Sequence, residues 1–167
     1  MVDCPLTSTD AFVGRYNVST PGYWLFSALG IGLVCTDMRT LRLPHSATGI
    51  LWLTCGTLFI AESVSREHFA KLVTAAGSGV AVCALLLLVA LLAPGQLGLG
   101  DVNFAGAIAF SLGWISWRAA IAAILVAFVA QWIAMKVLSI KADERSDGLA
   151  LGPALYGGWL LAIAFAR

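Results

Sequence analysis

The sequence predicts an all-helical, polytopic integral membrane protein with about six transmembrane helices, one of them short or half-inserted. Three observations predict it. Of the 167 residues, 60% are apolar and only 11% are charged, whereas a soluble domain is about a quarter charged. The charges leave six long neutral runs, 16–36, 43–61, 72–100, 102–117, 119–135 and 148–166, of 21, 19, 29, 16, 17 and 19 residues with His45 counted as neutral. A spanning helix needs roughly 17–25 mostly apolar residues. The apolar stretches also fail to alternate: 84–92 reads Ala-Leu-Leu-Leu-Leu-Val-Ala-Leu-Leu, unlike a barrel strand. Backbone groups in lipid must pair within their own segment, so helix is the default.

The same composition excludes other classes. A net charge of +1 gives no basic field for a nucleic acid backbone. The apolar excess excludes disorder. Membrane lipid is an expected partner, and nucleic acid is not.

Each element follows from local signals. Residues 1–21 read as an N-terminal tail, because Asp3 and Asp10 precede Arg15, the wrong charge for a signal peptide. The membrane domain is expected over 22–167. The first helix is expected over 22–36, opening beside Pro21 with Tyr23 and Trp24 at the interface. A polar connection over 37–45 follows, where Pro44 disfavours helix at Leu43. The second helix is expected over 46–61, with a charged loop over 62–68. The third is expected over 70–93, broken after it by Pro94 and by Gly95, Gly98 and Gly100. The fourth, over 101–112, is too short for about 30 Å of hydrocarbon at about 1.5 Å per residue. Asp101 at its start suits the positive end of the helix dipole. Gly113-Trp114 offers a turn, a fifth helix is expected over 116–139, and a charged loop over 141–147 leads to the last, 149–166. Trp24, Trp114, Trp117 and Trp159 are expected at membrane interfaces. Lys and Arg residues divide five against five across the bilayer, which gives no orientation.

Few residues are left to do chemistry. Cys4, Cys35, Cys55 and Cys83 form no C-x-x-C pair and read as small apolar filler. His45 and His68 stand singly, so no metal and no other cofactor are expected. Ser27, Ser78, Ser111 and Thr54 lack a histidine–carboxylate arrangement for a nucleophile and read as hydrogen-bonding within or between helices. Asp37 and Asp101 remain. Each closes an apolar run with more apolar chain beyond it, which makes each a functional candidate. Two crossings separate them, so both fall on one face of the membrane although they are 64 positions apart. Glycines precede both: Gly30 and Gly32 before the first, Gly98 and Gly100 before the second.

Two carboxylates in one partly dry site cannot both ionise easily, so one keeps its proton. The ionised partner takes a proton from water and the protonated one polarises a carbonyl, which hydrolyses a peptide bond without a covalent intermediate. From the residues alone two other readings stand beside this one. The aspartates are helix caps in interfacial water, or they serve a non-enzymatic or proton-coupled membrane carrier.

The words around the aspartates discriminate. Asp37-Met38-Arg39-Thr40-Leu41-Arg42-Leu43-Pro44 resembles the first motif of the type IV prepilin leader peptidases: an aspartate, five residues, an aliphatic residue and a proline. Gly98-Leu99-Gly100-Asp101-Val102-Asn103-Phe104 resembles their second, the glycine-x-glycine-aspartate signature of intramembrane aspartyl proteases. Leu151-Gly152-Pro153-Ala154-Leu155 looks like the small-residue proline patch that closes such domains. The signature also occurs in presenilin-like and archaeal preflagellin peptidases; the length and first motif favour the prepilin branch. The chain departs from the pattern at Asn103, where the family usually has lysine, and at His45, where it usually has asparagine.

The resemblance covers roughly 22–166 and implies an aspartic endopeptidase with Asp37 and Asp101 as the catalytic pair. It implies a short form without the methyltransferase segment. Gly98, Gly100, Val102 and Asn103 would shape the active-site loop or contact substrate. Arg39 and Arg42 would orient substrate or anchor to lipid phosphate, Pro44 would hold the first motif's turn, and Pro153 would line the site. The implied partner is the leader of a type IV prepilin or prepilin-like protein. The implied location is a bacterial or archaeal cytoplasmic membrane with the site facing the cytoplasm. Asp143, Glu144 and Asp147 would then share the catalytic side.

Overall fold

A computed structural model of the protein describes residues 21–40, 45–93, 97–141 and 151–165. The described residues form six helices and no strand: α1 (Pro21–Thr40), α2 (His45–Arg66), α3 (Phe69–Leu92), α4 (Leu99–Gly113), α5 (Trp117–Lys141) and α6 (Gly152–Phe165). Segments of α2, α3 and α5, Ser46–Ser65, Phe69–Leu92 and Trp117–Val137, are long and apolar enough to cross a membrane. The protein is therefore a polytopic, all-helical membrane protein. Helix α4 has 15 residues and α6 has 14, or about 21–23 Å at about 1.5 Å per residue. The shortness of α4 agrees with its sequence. That of α6 was not expected, because the neutral run over 148–166 begins before the helix does.

The charged segments differ most from expectation. Asp37 lies inside α1, not in a connection, because nothing in Asp37-Met38-Arg39-Thr40 breaks a helix. Helix α2 runs through Glu62 to Arg66, where a loop was expected, since charges near a helix end remain hydrated without unwinding it. It stops where Glu67 adopts φ 55° and the His68 N–H donates to the Ser63 carbonyl at 3.0 Å, the long-range bond of a Schellman turn. Trp24 and Trp117 are exposed, but Trp114 and Trp159 are buried core residues and not interface anchors. Residues 1–20 of the expected tail, Arg42, Pro44 and the acids at 143, 144 and 147 lie outside the described residues; Pro21, expected as the last tail residue, already opens α1.

Packing relies on small residues, as expected where lipid is as apolar as leucine. Ala75, Gly79, Val82 and Leu86 form the buried stripe of α3. Facing them, a Cβ at Gly106 of α4 would run into the Cys83 sulfur. The Ser78 hydroxyl bonds the carbonyl oxygens of Ala75 and Ala109, both at 2.9 Å, tying α3 to α4. Helix α4 is buried from Gly100 to Gly113 except at Asp101 and Asn103, which are half-buried. It packs against α2, α3, α5 and α6, and α1 packs on α2 and α6. Between α5 and α6, a Cβ at Gly158 would stand 2.5 Å from the Ala123 carbonyl oxygen.

Several buried polar groups are paired across helices, although the Ser63 hydroxyl is buried without a partner among the described residues. The Tyr23 hydroxyl donates to the Ser111 carbonyl at 2.8 Å, and the Trp159 indole N–H donates to Ser111 Oγ at 2.9 Å. The Tyr156 hydroxyl and Ser27 Oγ pair at 2.9 Å. Tyr23 also meets Phe59 edge-on with ring centroids 5.3 Å apart, and Phe59 contacts Phe110 and Trp114. These contacts fix α1, α4 and α6 against one another, and the carboxylates are carried by two of those helices.

Candidate active site

The last turn of α1 and the first turns of α4 and α6 bring Asp37, Asp101 and Gly152 to the same end of the bundle. Asp37 is 3% exposed. Its Oδ2 accepts a hydrogen bond of 2.8 Å from the backbone N–H of Gly152, 115 positions later. The first N–H groups of a helix have no partner within it. Pro153 has no N–H to offer, and Leu155 N–H already donates to the Leu151 carbonyl. A Cβ at position 152 would stand 2.6 Å from Asp37 Oδ2, so only glycine admits the carboxylate at this distance.

Asp101 is the third residue of α4, after an extended Gly98 cap. The N–H groups of Asp101 and Val102 donate to the Gly98 carbonyl at 3.0 and 3.2 Å. The Asp101 carboxyl turns back to the Gly98 backbone N–H, in the manner of a capping box. A Cβ at Gly98 would lie 3.0 Å from Asp101 Oδ2. Each carboxylate therefore rests on a glycine backbone.

Asp101 lies in the first turn of α4, outside the three spanning segments. Burial, and after it the negative charge of Asp37, push its carboxyl up to about 6, against the opposing pull of the Gly98 hydrogen bond. The two acids thus sense each other electrostatically. One of them holds a proton far more readily than an exposed aspartate does.

The other expected site residues divide. Gly98 and Gly100 belong to the Asp101 turn, and Gly100 is buried. Pro153 is half-buried beside Gly152. Val102 and Asn103 line a cavity of about 590 Å³ between α2, α3 and α4, with Trp52, Cys83, Leu87 and Leu99 among its walls. The Trp52 indole N–H donates to the Asn103 carbonyl at 3.0 Å. Asn103 is two positions past Asp101, about 200° around the helix, so this cavity opens on the other side of α4. Arg39 is exposed at the end of α1, and Arg42 and Pro44 fall outside the described residues. Sequence reasoning missed Gly152; its signal was a glycine placed directly before a proline at a helix start. Among the described residues, no three His, Cys, Asp or Glu side chains gather where they would hold a metal ion.

No curated protein and no solved structure matches the chain. The sequence model of the type IV leader peptidase family matches residues 24–139. That span runs from the start of α1 nearly to the end of α5, takes in both aspartates, and stops short of α6. It covers most of the chain, and this membrane protein therefore belongs to the type IV leader peptidase family.

Proposed function

We propose that the protein is an aspartyl endopeptidase that cuts the leader from type IV prepilin-like proteins at the cytoplasmic face of the membrane. Asp37 is the general base and Asp101 the general acid. Water lies between them; Asp37 takes one of its protons as its oxygen attacks the scissile carbonyl carbon. Asp101 gives its proton to the carbonyl oxygen, producing a neutral tetrahedral diol. Collapse of the diol breaks the C–N bond, with the proton on Asp37 passing to the leaving nitrogen. A hydroxyl proton of the diol returns to Asp101. No covalent intermediate forms, and both acids end as they began.

The observation that carries this reading is the placement of two carboxylates at one end of the bundle, Asp37 buried against the Gly152 N–H and Asp101 in the first turn of α4, where burial and then the charge of Asp37 raise its carboxyl. The roles follow from the surroundings. Both carboxylates accept a backbone N–H, Asp37 from Gly152 and Asp101 from Gly98, and burial raises the Asp101 carboxyl, which suits it to hold the proton.

The test is co-expression of a prepilin with wild type, Asp37→Asn and Asp101→Asn. Asparagine keeps size but cannot cycle a proton. Both variants accumulate in the membrane and leave the prepilin uncut. Full processing by either variant defeats the pair.

A further inference from the structure

We propose that Gly152 is a positioning residue for the reaction: its backbone N–H, at the open end of α6, fixes the orientation of the Asp37 base. The inference rests on the reading of Asp37 as base. It goes beyond the family match, which ends at residue 139, ahead of the helix concerned.

Three features carry it. The bond is short and enclosed, 2.8 Å to a carboxylate that is 3% exposed. The site has no room for a side chain, since a Cβ on residue 152 would stand 2.6 Å from Asp37 Oδ2 and 3.3 Å from Asp37 Cβ. Helix α6 is also fastened to α1 at a second point one turn later. There the Tyr156 hydroxyl pairs with Ser27 Oγ at 2.9 Å, and the Tyr156 ring covers Gly30, where a Cβ would be 2.7 Å from Tyr156 Cε2. The start of α6 is therefore held in register with α1 at two points, Asp37 in its last turn and Ser27 and Gly30 in its first half. Pro153 removes the neighbouring N–H that would otherwise compete for the carboxylate. A base must sit within hydrogen-bond reach of the attacking water, and a displacement of about 1 Å costs on the order of 100-fold in rate.

Prepilin cleavage by purified full-length protein tests this, with kcat, KM and the melting midpoint recorded for each variant. Gly152→Ala lowers kcat on the order of 100-fold and leaves KM unchanged. Replacing Gly152 by glycolic acid turns the amide into an ester, removes the N–H without adding a side chain, weakens the Leu151 carbonyl only as acceptor of the Leu155 N–H, and lowers kcat about tenfold. Two controls lie on the same helix. Gly157→Ala meets nothing within 4 Å and behaves as wild type. Gly158→Ala strikes the Ala123 carbonyl and lowers the melting midpoint. Wild-type kcat in the ester variant overturns the inference, and that variant decides the matter alone if Gly152→Ala fails to fold. Loss of kcat in step with the melting midpoint, as in Gly158→Ala, overturns it as well. Asp37→Asn in parallel separates the two readings: if it is inactive while the ester is fully active, only the role of Gly152 falls. If Asp37→Asn is active, the aspartate pair falls.

Discussion

The Asp37 carboxylate and the Gly152 backbone N–H meet at 2.8 Å across 115 positions of sequence. This bond makes α6 part of the candidate site although α6 carries no acidic or basic residue in its described turns. It also explains why Asp37 is more deeply buried than Asp101: the first turn of α6 covers the end of α1, while Asp101 stays half-buried at the α4 cap.

The raised Asp101 carboxyl sets a pH dependence. In the proposed mechanism cleavage needs its proton, so kcat falls as pH rises through about 6. Replacing Asp37 by Asn removes the second cause of the shift, and the Asp101 titration moves down toward the ordinary carboxylate range. Carboxyl signals in ¹³C-labelled protein, followed against pH in wild type and Asp37→Asn, check this; a midpoint that does not move removes the coupling.

The same shift has a stability consequence. Folded protein binds the Asp101 proton more tightly than unfolded chain does, so stability from this group is full below 3.8, its ordinary value, and is lost as pH rises through about 6. Asp101→Asn lacks the penalty of the buried charge. Its melting midpoint therefore exceeds that of wild type at pH 7, and the gap closes toward pH 4. A constant gap between the two pH values contradicts the assignment.

Small residues hold α6 to α5, and the effect is local. Gly158→Ala costs about 1–3 kcal/mol through overpacking, while Gly157→Ala, which meets open space, costs little. Thermal unfolding in detergent of the two variants side by side measures the difference.

Glu67 ends α2 at φ 55°, a conformation that costs an L residue about 1–2 kcal/mol. Glu67→Gly relieves it and raises stability by about 1 kcal/mol, while leaving cleavage unchanged because the α2–α3 turn lies at the other end of the bundle from Asp37. An unchanged or lowered melting midpoint contradicts this account of the turn.

The architecture was legible because charge is costly in lipid: neutral runs marked out six helices, and the shortness of α4 followed from Pro94 and its three glycines. Both aspartates were legible for the same reason, as carboxylates interrupting apolar chain. What the sequence hid were relationships between helices. A helix that is apolar all round does not tell a lipid-facing tryptophan from a packed one. Trp114 and Trp159 therefore read as interface residues, although Trp159 is bonded to Ser111 inside the bundle. Asp37 read as part of a connection because its charge, and not its helix propensity, dominated the pattern. Gly152 carried no chemistry of its own, since its contribution is a main-chain N–H that matters only once α6 lies against α1.

The central claim is that Asp37 and Asp101 work as one unit, and a double-mutant cycle tests it most directly. Prepilin cleavage is measured for Asp37→Asn, Asp101→Asn and the double variant, each at matched membrane abundance. Residues that share one proton transfer are strongly non-additive. Each single variant therefore loses about as much activity as the double, on the order of 1,000-fold or more. Losses that multiply independently, or a single variant that still cleaves at the wild-type rate, contradict it.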